Sequence, residues 1–164
     1  MNVRTSRSAK VTLPTDEQIL VTREFDAPRH LVYKAMTTPE LVRRWWHAKR
    51  GEVTVCEIDL RVGGKWRYAM VTPDGTEVAF HGYYVEIVPD ELVVAKEIYE
   101  GAEDFSDEEL NTQKFEDAGE GRTKLTLLIQ APSKEARDAI IESGMEDGLQ
   151  DALDLLEETS QSLS

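Results

Sequence analysis

Residues 133–159, "SKEARDAIIESGMEDGLQDALDLLEET", decide the fold. Just after Ala131-Pro132, Ser133 offers a side-chain oxygen to the unpaired amides of a starting helix. Ile141, Met145, Leu149, Ala152 and Leu156 then recur at helical spacing on one face, and acids cover the rest. The stretch reads as one long amphipathic helix ending near Thr159. Gly144, Gly148 and Ala152 are spaced by four within it, although an interior glycine costs about 1 kcal/mol relative to alanine. Close approach to a sheet, or room for a ligand, would compensate.

Upstream of that helix the period is two. From Gly51 the chain reads as strands over about 52–60, 64–72, 76–88, 91–99, 109–117 and 121–130, broken at Gly63-Gly64, "TPDGT" (72–76), Pro89-Asp90 and "AGEG" (118–121). Proline presets φ at such breaks, while glycine and aspartate tolerate turn conformations. "QILVTREF" (18–25) is a further strand, giving seven, mostly antiparallel because the connections are short. Between it and Gly51, "DAPRHLVYKAMTTPELVRRWWHAKRG" (26–51) switches to helical spacing, with Asp26 as cap, Pro28 in the first turn and a restart at Thr38-Pro39. One strand, two short helices, six strands and a final helix predict an α+β helix-grip fold: a curved antiparallel sheet wrapped around the last helix. We expect residues 1–10 to form a disordered tail and 11–160 a single domain. The acidic stretch "EGAEDFSDEEL" (100–110) is expected to be a loop over one mouth of the fold.

Composition removes several function classes. Nineteen basic and thirty-two acidic side chains give a net charge of −13, which repels phosphate backbones and anionic lipid faces, so neither nucleic acid nor membrane is an expected partner. Residues 1–10 carry Arg4, Arg7 and Lys10 without an apolar run behind them, unlike a secretory signal. The single cysteine, Cys56, excludes an internal disulfide and suits a reducing cytoplasm. Its alternating neighbours in "EVTVCEIDL" make it a small buried hydrophobe rather than a reactive thiol. Gly63-Gly64-Lys65 is followed by Trp66 and a strand pattern, not by the Ser/Thr and helix of a phosphate loop, so the glycines are read as a bend.

Alternation groups Trp66, Tyr68 and Met70 on one strand face and Phe80, Gly82 and Tyr84 on another. If both turn inward, they join Met145 and Leu149 of the final helix around either a solid aromatic core or a small-molecule pocket. Trp45 and Trp46 lie about 100° apart on a helix, so one should sit near the surface, as a helix end-cap or at a pocket rim. The candidate ligand-binding set is therefore Trp45, Trp46, Trp66, Tyr68, Met70, Phe80, Tyr84, Met145 and Leu149. His30, His47 and His81 stand at no metal-ligand spacing, and no nucleophile motif is present, so no metal, cofactor or catalytic residue is assigned. His81 lies opposite the Phe80 face and would carry protons only if its own face lined the cavity.

The segments "ILVTREFDAPRHLVYKAMTTPELVRRWW", "DLRVGGKWRYAMVTPDGTEVAFHGYYVEIVPDELVV" and "GRTKLTLLIQAPSKEARDAIIESGMEDGLQDALDLLEE" resemble the bacterial family related to the C-terminal domain of the heat-shock protein 90 ATPase activator. That family belongs to the SRPBCC, or START-like, superfamily. The F-D-A-P, R-W-W, D-x-R-x-G-G-x-W and H-G-x-Y motifs carry the likeness. It implies a deep, mostly apolar cavity between sheet and final helix, and supplies no reaction. Family members often have tryptophan after the final-helix glycine where this chain has Leu149, which implies a differently shaped cavity at that end. The eukaryotic activator has a separate chaperone-binding N-terminal domain, so chaperone activation is not expected here.

These readings favour a cytoplasmic protein that binds a small apolar or aromatic ligand, in stress response or sequestration. The alternatives are a cyclase or dehydratase using His81, Tyr68 or Tyr84, and a co-chaperone-like module or homodimer built on a tryptophan face or free strand edge.

Overall fold

Strand β1 (Lys10–Thr12) and strand β2 (Gln18–Phe25) precede α1 (Arg29–Thr37) and α2 (Pro39–Val42). The strands β3 (Glu52–Ile58), β4 (Lys65–Val71), β5 (Glu77–Val88), β6 (Leu92–Tyr99), β7 (Glu108–Asp117) and β8 (Thr123–Gln130) follow, then α3 (Lys134–Glu142) and α4 (Met145–Gln161). The computed structural model describes residues 9–101 and 108–163. All eight strands form one antiparallel sheet in the order β1-β2-β8-β7-β6-β5-β4-β3. The curved sheet carries α1 and α4 on its inner face, and α1 packs on α4, β7 and β8.

Three features depart from the sequence reading. The sheet has eight strands rather than seven, because β1 is only three residues long and too short to show an alternation. It pairs Lys10 with Thr22, and Ala9 before it exchanges two hydrogen bonds with the Gln150 side-chain amide of α4, at 3.0 and 2.9 Å. The chain thus joins the sheet at Lys10, at the end of the tail expected over residues 1–10, and residues 1–8 of that tail lie outside the described residues. So does most of the expected loop, residues 102–107; β7 begins directly after it.

The final helix is two helices. Ser133 caps α3 as expected, its hydroxyl accepting the Ala136 N–H at 3.0 Å. Gly144 then adopts φ 85° between α3 and α4, a left-handed conformation open to glycine. The break resets the helical phase: Ile141 is 38% exposed, while Ala152, Leu153, Leu156, Thr159 and Ser160 form the buried face of α4. Asp26 is not the cap of α1 either. Pro28 occupies that position in an extended conformation, because proline also forces Ala27 out of helical geometry. The Asp26 N–H instead donates to Glu157 of α4 at 2.8 Å.

Arg23, on the inner face of β2, locks the sheet to α4. Its guanidinium meets Asp154 at 2.9 Å and Glu157 at 3.2 Å and lies over the Phe25 ring, 4.9 Å from its centroid. Arg23 and Glu157 are both buried, and the Asp26 amide takes the second oxygen of the carboxylate. Gly63 and Gly64 form the expected bend between β3 and β4. Gly63, at φ 80°, donates to the Tyr84 carbonyl at 2.8 Å, and the Gly64 carbonyl accepts from the Tyr84 amide at 2.9 Å. The bend therefore fixes the backbone of an inward-facing tyrosine.

Candidate functional site: a cavity inside the grip

Alternation sends Trp66 and Tyr68 of β4 and Tyr84 of β5 to the inner face of the sheet. Together with Met36 and Thr37 at the end of α1, Val93, Ala95 and Glu97 of β6, and Asn111 and Gln113 of β7, they line a cavity of about 70 Å³. That is room for roughly two waters at ~30 Å³ each. Drug-sized pockets start at about 300 Å³, so the closed grip accepts a compact group rather than a large lipid.

One glycine sets the strand spacing beside Trp66. Gly82 of β5 stands beside Trp66 and opposite Glu97 in register, and a Cβ on it would lie 1.8 Å from the Lys96 carbonyl oxygen and 3.0 Å from the indole. Only glycine allows β5 and β6 to close so tightly over Trp66.

The cavity wall is more polar than the aromatic alternation implied. Tyr68 and Tyr84 are hydrogen-bonded to each other, and burial pushes both phenols up, so both stay neutral. Glu97 of β6 pairs in register with Glu109 of β7, and the two carboxyls share a hydrogen bond. Desolvation raises Glu97, with hydrogen bonds from Glu109 and Asn111 acting against it. Desolvation and then the charge of Glu97 push Glu109 up to about 9. Burial and mutual charge therefore favour a protonated carboxyl in the pair. Trp66 is 6% exposed, yet its Nε1–H has no hydrogen-bond partner, and neither has Asn111 Oδ1. Native proteins rarely leave buried donors and acceptors unpaired. Here one of each belongs to the lining of the same cavity.

Of the nine residues singled out from the sequence, the cavity brings together Trp66, Tyr68 and Tyr84. Trp46 and Phe80 adjoin it through Tyr68: the Trp46 ring stands edge-on to Tyr68 at 5.5 Å and to Phe80 at 6.0 Å, and Tyr99 lies 5.1 Å from Phe80. Trp45 is the buried member of the tryptophan pair, its indole N–H donating to the Ala35 carbonyl at 2.9 Å. Met145 and Leu149 pack half-buried against the core from α4, and Met70 lies half-buried further along β4; none of the three lines the cavity. The cavity sits beneath the last turn of α1 rather than beneath α4.

His81 is on the outer face. Its Nδ1 lies 2.9 Å from Glu100, which also takes two hydrogen bonds from Arg67 at 2.9 Å. Arg67 first, with help from His81, holds Glu100 below the usual carboxylate range. Cys56 is buried, and burial pushes its thiol up to about 11, so it packs as a hydrophobe. Among the described residues no group of three His, Cys, Asp or Glu side chains could hold a metal ion.

Glu97, Glu109, Asn111 and Gln113 escaped the sequence reading. In "LVVAKEIY" (92–99) both faces carry apolar residues, so alternation does not show which face Glu97 takes. In "EELNTQKFED" (108–117) a signal did exist: Phe115 is the only aromatic, and counting back by twos gives Gln113, Asn111 and Glu109.

A curved antiparallel sheet wrapped around a C-terminal helix, with a small cavity on its inner face, defines a START-like, helix-grip protein. The chain belongs to the family of activator of Hsp90 ATPase homolog 1-like proteins, whose family model matches residues 26–161. Solved structures share the fold. A Rhodobacter sphaeroides protein superposes with a TM-score of 0.85 at 24% identity, over 96% of this chain and 100% of its own. A Staphylococcus epidermidis protein gives 0.78 at 26% identity, over 93% of this chain and 94% of its own. An activator-homolog-like protein from Aeromonas hydrophila gives 0.65 at 18% identity, over 85% and 92%. Among curated proteins, none matches the sequence.

Proposed function

We propose that this is a small-molecule-binding protein that takes a compact aromatic or apolar group into the grip. The observation that carries this reading is that Trp66 and Asn111, two residues lining the same small cavity, hold an unpartnered buried N–H and an unpartnered buried oxygen. Leaving either unsatisfied costs about 1–3 kcal/mol, which a ligand bearing one acceptor and one donor would recover. The apolar walls supplied by Met36, Val93 and Ala95 and the rings of Trp66, Tyr68 and Tyr84 suit the body of such a ligand. The lone cysteine and the acidic surface fit a cytoplasmic setting.

Native mass spectrometry of protein freshly purified from cells tests the reading, paired with thermal-shift screening against lipids, polyketides and aromatic metabolites. A retained small mass, lost on denaturation, is the expected result. Apo mass alone, with no compound raising the melting temperature, would contradict it. A second reading is an acid–base enzyme of the cyclase or dehydratase kind. The proton shared by Glu97 and Glu109 favours it, whereas His81, facing outward, has no part in it.

A further inference from the structure

Two carboxyls paired on the inner face of a sheet, with no cation beside them, are an expensive arrangement that hydrophobic residues would avoid. Among the described residues, no Lys, Arg or His forms an ion pair with Glu97 or Glu109. The nearest outward cation on β6, Lys96, belongs to the opposite face by alternation. The Glu97 carboxylate and the free Asn111 Oδ1 belong to residues that line the cavity, and Glu109, which does not line it, faces Glu97 in register from β7. A carboxylate with a second carboxyl behind it and an amide oxygen, beside aromatic faces, match a group with several N–H donors and a positive charge. The Trp66 N–H, on a side chain 6% exposed, adds a donor on β4, two strands from Glu97.

We infer that the polar end of the cavity binds a protonated primary amine whose carrier bears a neighbouring hydroxyl or carbonyl oxygen: the ammonium sits against Glu97 and Asn111, with Glu109 adding its charge through Glu97, and the oxygen accepts from Trp66. The inference rests on the binding function proposed above and names its ligand class. The ammonium takes the place of the shared proton, which leaves to solvent, so the net charge of the pair and its ligand is the same as that of the pair before binding. The volume of about 70 Å³ accommodates the amino-alcohol head, and an aromatic body would extend from Tyr68 toward the Trp46 and Phe80 rings.

The test compares 2-amino-1-phenylethanol with its neutral analogue 1-phenyl-1,2-ethanediol and with 2-phenylethylamine, which lacks the hydroxyl, by calorimetric titration at pH 7.5. Wild-type protein should bind the amino alcohol at least tenfold more tightly than the diol, and more tightly than 2-phenylethylamine. The preference over the diol should fall to about unity in the Glu97→Gln/Glu109→Gln double variant. Glu109→Gln alone, which keeps the contact between Glu97 and Asn111, should lose part of it and serves if the double variant does not fold. Equal affinity for the diol and the amino alcohol would overturn the inference and leave the ligand-binding reading standing. Binding of none of the three would overturn the inference and count against that reading as well.

Discussion

Glu97 on β6 and Glu109 on β7 face each other directly across the inner side of the sheet and share a hydrogen bond. Asn111 also bonds Glu97, and the other ionisable groups on this wall, Tyr68 and Tyr84, stay protonated. The folded protein thus holds a proton that the unfolded chain releases in the ordinary carboxylate range. A carboxyl raised on folding contributes stability at low pH and loses it as pH rises from about 4.5 toward about 9. Urea unfolding at pH 5, 7 and 9 should show wild-type stability declining with pH more steeply than that of Glu109→Gln. Parallel pH profiles would contradict the shared proton.

Arg23 ties the sheet to α4 through a buried ion pair. Its side chain is 1% exposed between Asp154 and Glu157. Arg23→Ala would leave Glu157 buried without its counter-ion and should cost about 3–5 kcal/mol in chemical denaturation. The exposed pair Arg61–Asp59, at 2.8 Å, is the internal control, and Arg61→Ala should change stability by under about 1 kcal/mol.

Two glycines should respond in opposite directions. Gly148 lies within α4, and a Cβ there would meet nothing closer than the Arg50 Nε at 3.7 Å. Gly148→Ala should therefore stabilise the protein by up to about 1 kcal/mol, through helix propensity alone. Gly82→Ala would drive a methyl into the Lys96 carbonyl at 1.8 Å and should destabilise by about 1–3 kcal/mol or more. Thermal unfolding of both variants beside wild type checks the pair of signs.

The strand pattern was plain in the sequence because nearly every strand from β3 to β8 ends at glycine, proline or aspartate, residues whose backbone preferences are local. Trp66, Tyr68 and Tyr84 could be placed on one inner face by the same alternation. What the sequence did not show depends on long-range pairing. β1 exists because Lys10–Thr12 pairs with β2 and Ala9 with Gln150, and three residues carry no period of their own. Gly144 breaks the final helix between two segments that are each amphipathic, so the apolar spacing ran through it unmarked. The polar end of the cavity arises from the register of β6 with β7, which sets Glu97 against Glu109 although twelve residues separate them in the chain.

The central claim, that the grip binds a small molecule through the indole of Trp66, is tested most directly by the three tryptophan indole N–H resonances of ¹⁵N-labelled protein titrated with 2-amino-1-phenylethanol. Trp45 donates to Ala35 and serves as the fixed reference, Trp46 belongs to the aromatic cluster, and Trp66 is unpartnered. The account predicts that the Trp66 resonance moves with a saturable dependence on concentration while that of Trp45 stays in place. A Trp66 resonance that does not move, with or without shifts elsewhere, would contradict it.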